Sequence, residues 1–187
     1  MNAKLPIPTS PSSPRPYLLK CKDDGEDVEA RFKCQMAVRY AMEKIRAGVP
    51  MGGSHAIGHQ LGPLGVPHGV TSCIMCPAVI KFNIKHGAGK PEIVRRQEMI
   101  REILWADSKV MDVLRGGGLD PISNDLGDAL EVIVRFLELP RALSAFDIAA
   151  DKIPASAKNA LEDFWARTNS IPLVEAAQVE EILNMVM

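Results

Sequence analysis

Three of the four histidines in this 187-residue chain fall inside one short stretch, "SHAIGHQLGPLGVPHGVTSC", residues 54–73. His55 and His59 are four apart, so on a helix they share a face one turn from each other. His68 stands between Pro67 and Gly69, at a break where a new segment can turn back toward that face. Imidazoles gathered this way suit a metal site or an acid–base site, because a neutral ring nitrogen ligates divalent metals and the ring titrates near neutrality. A third chemistry is open: Cys73-x2-Cys76 joined to His55-x3-His59 would make a Cys2His2 zinc set. Its spacing is not that of a familiar finger, and cysteine is also a common buried residue of apolar helices. His86, before Gly87, is expected to be a solvated cap at a helix C-terminus, where the dipole favours a cation.

The elements that must hold these residues read as helices. "EDVEARFKCQMAVRYAMEKIRAG" carries Val28, Phe32, Met36, Tyr40 and Ile45 at helical spacing, with acids at its start and Gly48 and Pro50 after it. "GVTSCIMCPAVIKFNIKHG" reads as a buried helix, with Pro77 requiring a first-turn position or a kink. "KPEIVRRQEMIREILWADSKVMDVLR" puts Ile93, Ile100, Ile103 and Leu104 toward the core and its arginines outward. The glycines at 116–118 read as a flexible break. "SNDLGDALEVIVRFLELP" has Asp125 or Asn124 as a cap, a stripe of Leu130, Ile133, Val134 and Leu137, and a stop at Pro140. Shorter helices are expected near 143–150, 156–168 and 175–186. Met36, Met42, Met51 and Met75 are expected mostly in the core, with some lining an adaptable apolar pocket. No alternating strand occurs, and aromatic residues are only 5% of the chain, so the expected fold is all-α, a multi-helix bundle. Residues 1–24 form a proline-rich tail ahead of a helical domain at 25–187. With Pro6, Pro8, Pro11, Pro14 and Pro16, no helix is expected in residues 1–20, though Tyr17, Leu18 and Leu19 can pin the tail to the body.

Composition narrows the partners. The formal net charge is −1 with basic residues spread among acids, which gives no footprint for nucleic acid. No apolar run approaches the roughly 18 residues of a membrane span, and no basic-then-apolar leader is seen. Four cysteines without a secretory signal lead to the expectation of reduced thiols in a cytoplasmic protein.

"MGGSHAIGHQLGPLGVPHGVTSCIMCPAVIKFN" resembles the metal-binding region of iron-dependent (group III) alcohol dehydrogenases, and within them maleylacetate reductases most. The shared features are His55-x3-His59, Pro67-His68-Gly69 opening a long helix, and Asn83 near its end. "LELPRALSAFDI" and "NSIPLVEAAQVEEIL" resemble later segments of the same family, so the likeness runs over about residues 27–187. The resemblance implies a dehydroquinate-synthase-like helical C-terminal domain. It implies that His55 and His68 match the two metal-ligand histidines of this region, for Fe or Zn, and that His59 matches a histidine beside the substrate. It also implies two further metal ligands and a nucleotide-binding domain upstream. No G-x-G-x-x-G turn occurs in the chain, so the chain is expected not to bind NAD or NADP by itself.

Three functions follow as expectations. The first is a cofactor-independent, non-redox enzyme on an apolar secondary metabolite: an isomerase or cyclase (possibly pericyclic) or a dehydratase, with His59, His55 and His68 as its catalytic groups. The second is a metal-dependent alcohol dehydrogenase or maleylacetate reductase fragment that needs a separate NAD(P)-binding domain. The third is a non-catalytic pseudoenzyme or partner subunit. A homodimer is expected, because a helical surface that the family covers with its other domain is bared here.

Overall fold

The structure, a computed structural model, describes residues 15–187, and the expectations for Pro6, Pro8, Pro11 and Pro14 lie outside that range. Among the described residues, ten α-helices follow one another in the order α1 (Arg15–Asp23), α2 (Val28–Arg46), α3 (Gly53–Leu61), α4 (His68–His86), α5 (Pro91–Trp105), α6 (Ser108–Gly116), α7 (Leu126–Phe136), α8 (Ile153–Ala160), α9 (Phe164–Arg167) and α10 (Ala176–Asn184). Among the described residues there is no strand, in keeping with the all-α reading. Nor is any helix among them long and apolar enough to cross a membrane.

Two apolar clusters share the work of holding the bundle. The larger is built from α3, α4, α8 and α10 around Ile57, Leu61, Ile74, Met75, Phe82, Ile182 and Leu183. The smaller joins α1, α5, α6 and α7 through Leu19, Leu104, Leu114, Leu126 and Val132. Helix α4 runs between them, with Phe82 in the first cluster and Ile80 against the second. Its 19 residues continue through Pro77, which is buried inside the helix and costs it one backbone hydrogen bond.

Several expectations are corrected. Arg15–Asp23 is helical although it lies in the proline-rich tail. Pro16 is the second residue of that helix, where its missing N–H is an orphan anyway, and no proline follows. Nine residues make a marginal helix in water. Burying Leu19 contributes about 1.5–3 kcal/mol and holds it in place. The segment after Lys90 is two helices rather than one: Asp107 caps α6 by accepting from the N–H groups of Lys109 and Val110. Ile100 is exposed, and Arg101 turns inward to pair with Glu98 and the carbonyl of Pro121. The glycines at 116–118 are no loose hinge. Gly117 caps α6 against Val132, and Gly118 takes a left-handed φ of 87°. The cap of α7 is Asp125, in a reciprocal box with Asp128. The apolar residues of α2 are not core: Val28, Phe32, Val38, Tyr40 and Met42 are exposed, and only Ala30 is buried.

Helices α3 and α4 pack closely. A Cβ on Gly58 would sit 2.8 Å from the Thr71 hydroxyl oxygen and 3.1 Å from its Cβ. Thr71 is itself held, its hydroxyl donating to the carbonyl of His68 at 2.7 Å. Gly58→Ala is therefore expected to destabilise the fold by about 1–3 kcal/mol. Adding Thr71→Ala should recover most of that loss. Urea unfolding of the single and double variants checks both.

Candidate functional site: a histidine cluster closed by Asp163

Helix α3 presents His55 and His59 on one face, as their spacing requires. The chain then passes a 3₁₀ turn at Gly62–Leu64 and re-enters helix directly after Pro67, whose φ of −58° and ψ of 136° suit the entry to α4. His68 is the first residue of α4, and the close α3–α4 approach brings it over the α3 pair. The ring centroids of His55 and His59 lie 4.2 Å apart, His55 and His68 5.4 Å, and His59 and His68 5.8 Å. All three sequence-derived site residues thus form one cluster.

A fourth member arrives from more than a hundred residues away. Asp163 Oδ2 lies 2.6 Å from His59 Nδ1. Its other oxygen, Oδ1, accepts the backbone N–H of Trp165 at 2.9 Å, so the same carboxylate caps α9 and holds the imidazole. The Trp165 ring stands edge-on to His55 with centroids 6.4 Å apart. Sequence reasoning did not find Asp163. Its one local signal is an N-cap aspartate ahead of Phe164, which says nothing about its partner. The delivery of α9 rests on a second pair, also unforeseen. Asn169 donates to the Asn83 side-chain oxygen at 2.7 Å and to the carbonyl of Ile171 at 2.9 Å, and accepts from the Gly53 N–H at 3.2 Å. Both asparagines are buried, so the pair ties the segment after α9 to the end of α4 and the start of α3.

The electrostatics divide the three rings. Burial pushes the His55 pKa down, and the neighbouring His59 and His68 push it further, while Asp163 opposes them weakly. His55 is therefore a neutral imidazole near neutral pH. Burial raises Asp163, but the hydrogen bonds from His59 and the Trp165 N–H outweigh it, so its carboxyl is held below the usual range. An ionised carboxylate can only accept, which places the proton of neutral His59 on Nδ1 and leaves Nε2 as an acceptor. His59 keeps 38% of its side-chain surface in solvent, against 15% for Asp163, so the free nitrogen is reachable.

The remaining candidates go elsewhere. The Cys73 thiol points back to the carbonyl of Gly69 at 3.8 Å, and the structure does not gather Cys73 and Cys76 with the histidines into a metal set. His86 is more than a solvated cap: its Nε2 is 3.0 Å from both Glu181 oxygens, and its ring lies against Phe82 with centroids 4.3 Å apart. A cavity of about 760 Å³ opens between α4, α7 and the C-terminus, lined by Pro77, Lys81, Arg141, Met185 and Met187 among others. None of the three histidines lines it.

Over residues 16–187 the chain matches the C-terminal domain of the Fe-containing alcohol dehydrogenase family. It belongs to that family. It is 35% identical over 167 residues to a dehydrogenase of Alternaria alternata, covering 89% of this chain and 42% of that protein. Identity is again 35%, over 168 residues, with a dehydrogenase of Gibberella moniliformis, covering 90% and 38%. A 1-propanol dehydrogenase of Salmonella typhimurium is 30% identical, covering 90% of this chain and 44% of its own length. The chain thus spans about two-fifths of the length of these curated relatives. No solved structure matches it significantly.

Iron is the metal the family's name carries. His55, kept neutral, and His68 offer two nitrogen donors with the right chemistry. Among the described residues, however, no group of three or more His, Cys, Asp or Glu side chains is arranged to hold a metal ion. A catalytic metal ordinarily needs three protein ligands and an open position. The described residues do not make that site by themselves.

The two shifted groups of the site contribute to the response to acid. His55 has a folded pKa below its ordinary value of about 6.5. Its contribution to stability is complete above that value and declines as the pH falls, because the unfolded chain takes the proton first. Asp163, also depressed, contributes above its ordinary value of about 4 and loses that contribution as the pH falls through the folded value. Stability measured in chelator should therefore fall from pH 7 to pH 5. His55→Gln should flatten that interval, and Asp163→Asn should lower stability above about pH 4 and flatten its fall below that value.

Proposed function

We propose that this chain is the helical, substrate-facing part of an NAD(P)-dependent alcohol dehydrogenase or reductase of the iron type, acting together with a nucleotide-binding domain. The observation that carries the reading is the His59–Asp163 hydrogen bond beside two further imidazoles. Oxidation of an alcohol removes a hydride from carbon and a proton from oxygen. The nicotinamide held by the other domain would take the hydride. His59 takes the proton on Nε2, its ring held in that tautomer by Asp163. In the reverse direction the same nitrogen returns the proton to the carbonyl oxygen. Asp163 is a positioning residue: it does not meet substrate, and its second oxygen is occupied by the Trp165 N–H. The indole of Trp165 offers an apolar wall at the His55 side, which fits an alcohol with an apolar chain.

The family, and relatives named as dehydrogenases, support this reading over the cofactor-free isomerase or cyclase. The names 1-propanol dehydrogenase and 4-hydroxybutyrate dehydrogenase support small primary alcohols as the first substrates to try. The exposed apolar residues of α2 support a face on which the nucleotide-binding domain docks.

The test combines the purified chain with the separately produced part of the Alternaria relative that this chain does not match, ferrous ion, NAD or NADP and a series of primary alcohols. Alcohol-dependent reduction of the nicotinamide is expected only when both proteins are present. His59→Ala should lower the rate by about 10²- to 10⁴-fold with the fold intact. Asp163→Ala should lower it by about tenfold or more. Turnover of an apolar substrate with neither nicotinamide nor metal would replace this reading with the isomerase or cyclase. Full activity in His59→Ala would remove the histidine from the chemistry.

A further inference from the structure

Helices α1 and α2 form an antiparallel pair joined by the short turn at residues 24–27. Cys21 lies near the end of α1 and Cys34 in the second turn of α2, and their sulfurs are 3.8 Å apart. Both are free thiols, half-buried in the seam between the two helices. The mechanism above uses neither.

What the pair joins gives it consequence. Helix α1 is anchored in the smaller apolar cluster by Leu19. Helix α2 buries only Ala30 along its 19 residues, and its main neighbour is α1. The grip on α2 therefore runs through the seam that holds the two sulfurs. A disulfide needs its sulfurs at about 2.05 Å, so closure requires the two side chains to rotate together from their present contact.

We propose that Cys21 and Cys34 are a reversible disulfide site, closed by exchange with a small-molecule disulfide of the oxidised-glutathione type, and that the bond staples α2 to α1. One protein thiolate attacks a sulfur of the small disulfide, forming a mixed disulfide and releasing one small thiolate. The second protein thiol loses its proton to solvent and attacks the protein sulfur of that mixed bond. The protein S–S bond forms and the second small thiolate leaves. Two protein thiols are oxidised, and one small disulfide is reduced to two thiols. Burial, together with the neighbouring Cys21, pushes the Cys34 thiol up, so closure should quicken as the pH rises. Cys73 and Cys76 are the internal comparison, since the Cys73 thiol is turned to Gly69 and Cys76 is pushed up by its own burial.

The experiment incubates the full chain with oxidised glutathione, blocks the remaining thiols and maps the peptides. The expected product is lighter by two hydrogens, carries one Cys21–Cys34 cross-link and keeps Cys73 and Cys76 free. Tryptic cleavage within α2, at Arg39 and Lys44, should slow by about tenfold or more and recover with dithiothreitol. Cys34→Ser should lose both effects and Cys73→Ser neither. Comparing oxidised with reduced wild type keeps the test valid should a variant fold poorly. The proposal is overturned if all four thiols stay free or if Cys21 and Cys34 stop at stable mixed disulfides. A bond that closes while cleavage of α2 is unchanged overturns the staple.

Discussion

The site depends on the absence of one side chain. Gly58 lets α3 lie against Thr71 of α4 at a separation that any Cβ would oppose. At that separation His68, on the first turn of α4, comes within ring contact of both α3 histidines. A proton on His55 is disfavoured by burial and by the two neighbouring imidazoles, since like charges a few ångströms apart repel strongly once partly removed from water. His59 instead takes the direct hydrogen bond to the Asp163 carboxylate. The packing that builds the cluster therefore also assigns its members different roles.

A second constraint brings the carboxylate. The buried Asn83–Asn169 pair satisfies polar atoms that would otherwise be costly, and in doing so it fixes the segment just after α9 to both helices of the site. Asp163 then has two duties, capping α9 and holding His59. A group that serves the backbone with one oxygen and an imidazole with the other is restricted in rotation. That restriction is what a positioning residue needs, because an imidazole aimed within a few tenths of an ångström transfers protons far better than one that swings.

Much of this was legible in the sequence, and the failures share a cause. The helices around Val28–Arg46, His68–His86 and Leu126–Phe136 announce themselves by periodicity and caps, which are local signals. The convergence of His55, His59 and His68 is nearly local too, since the first and last are only thirteen positions apart. Asp163 was not legible, because a capping aspartate has the same sequence appearance whether or not an imidazole lies on its far side. The tail was misread by counting prolines without asking where the last one falls: at the helix start, Pro16 is harmless. On α2 periodicity reports only that one side of the helix is apolar. It does not say whether the covering surface belongs to the same chain. The Cys21–Cys34 contact was hidden for the same reason as Asp163, as an antiparallel pairing decides it.

These two kinds of failure meet in how stability is distributed. Residues around α3, α4, α8 and α10 are held by the larger apolar cluster and by the asparagine pair, so the histidine site sits on well-anchored elements. Helix α2 lies outside both clusters, held mainly through α1. A site on rigid elements keeps its geometry when its neighbours move, whereas a helix with one buried residue opens at low cost in free energy. Docking of another surface on α2 would thus order α2 without disturbing the histidines. The arrangement of His59 and Asp163 is thus made by the chain's own elements, and in the proposed reading a docked nucleotide-binding domain would add the hydride acceptor and a cover over α2.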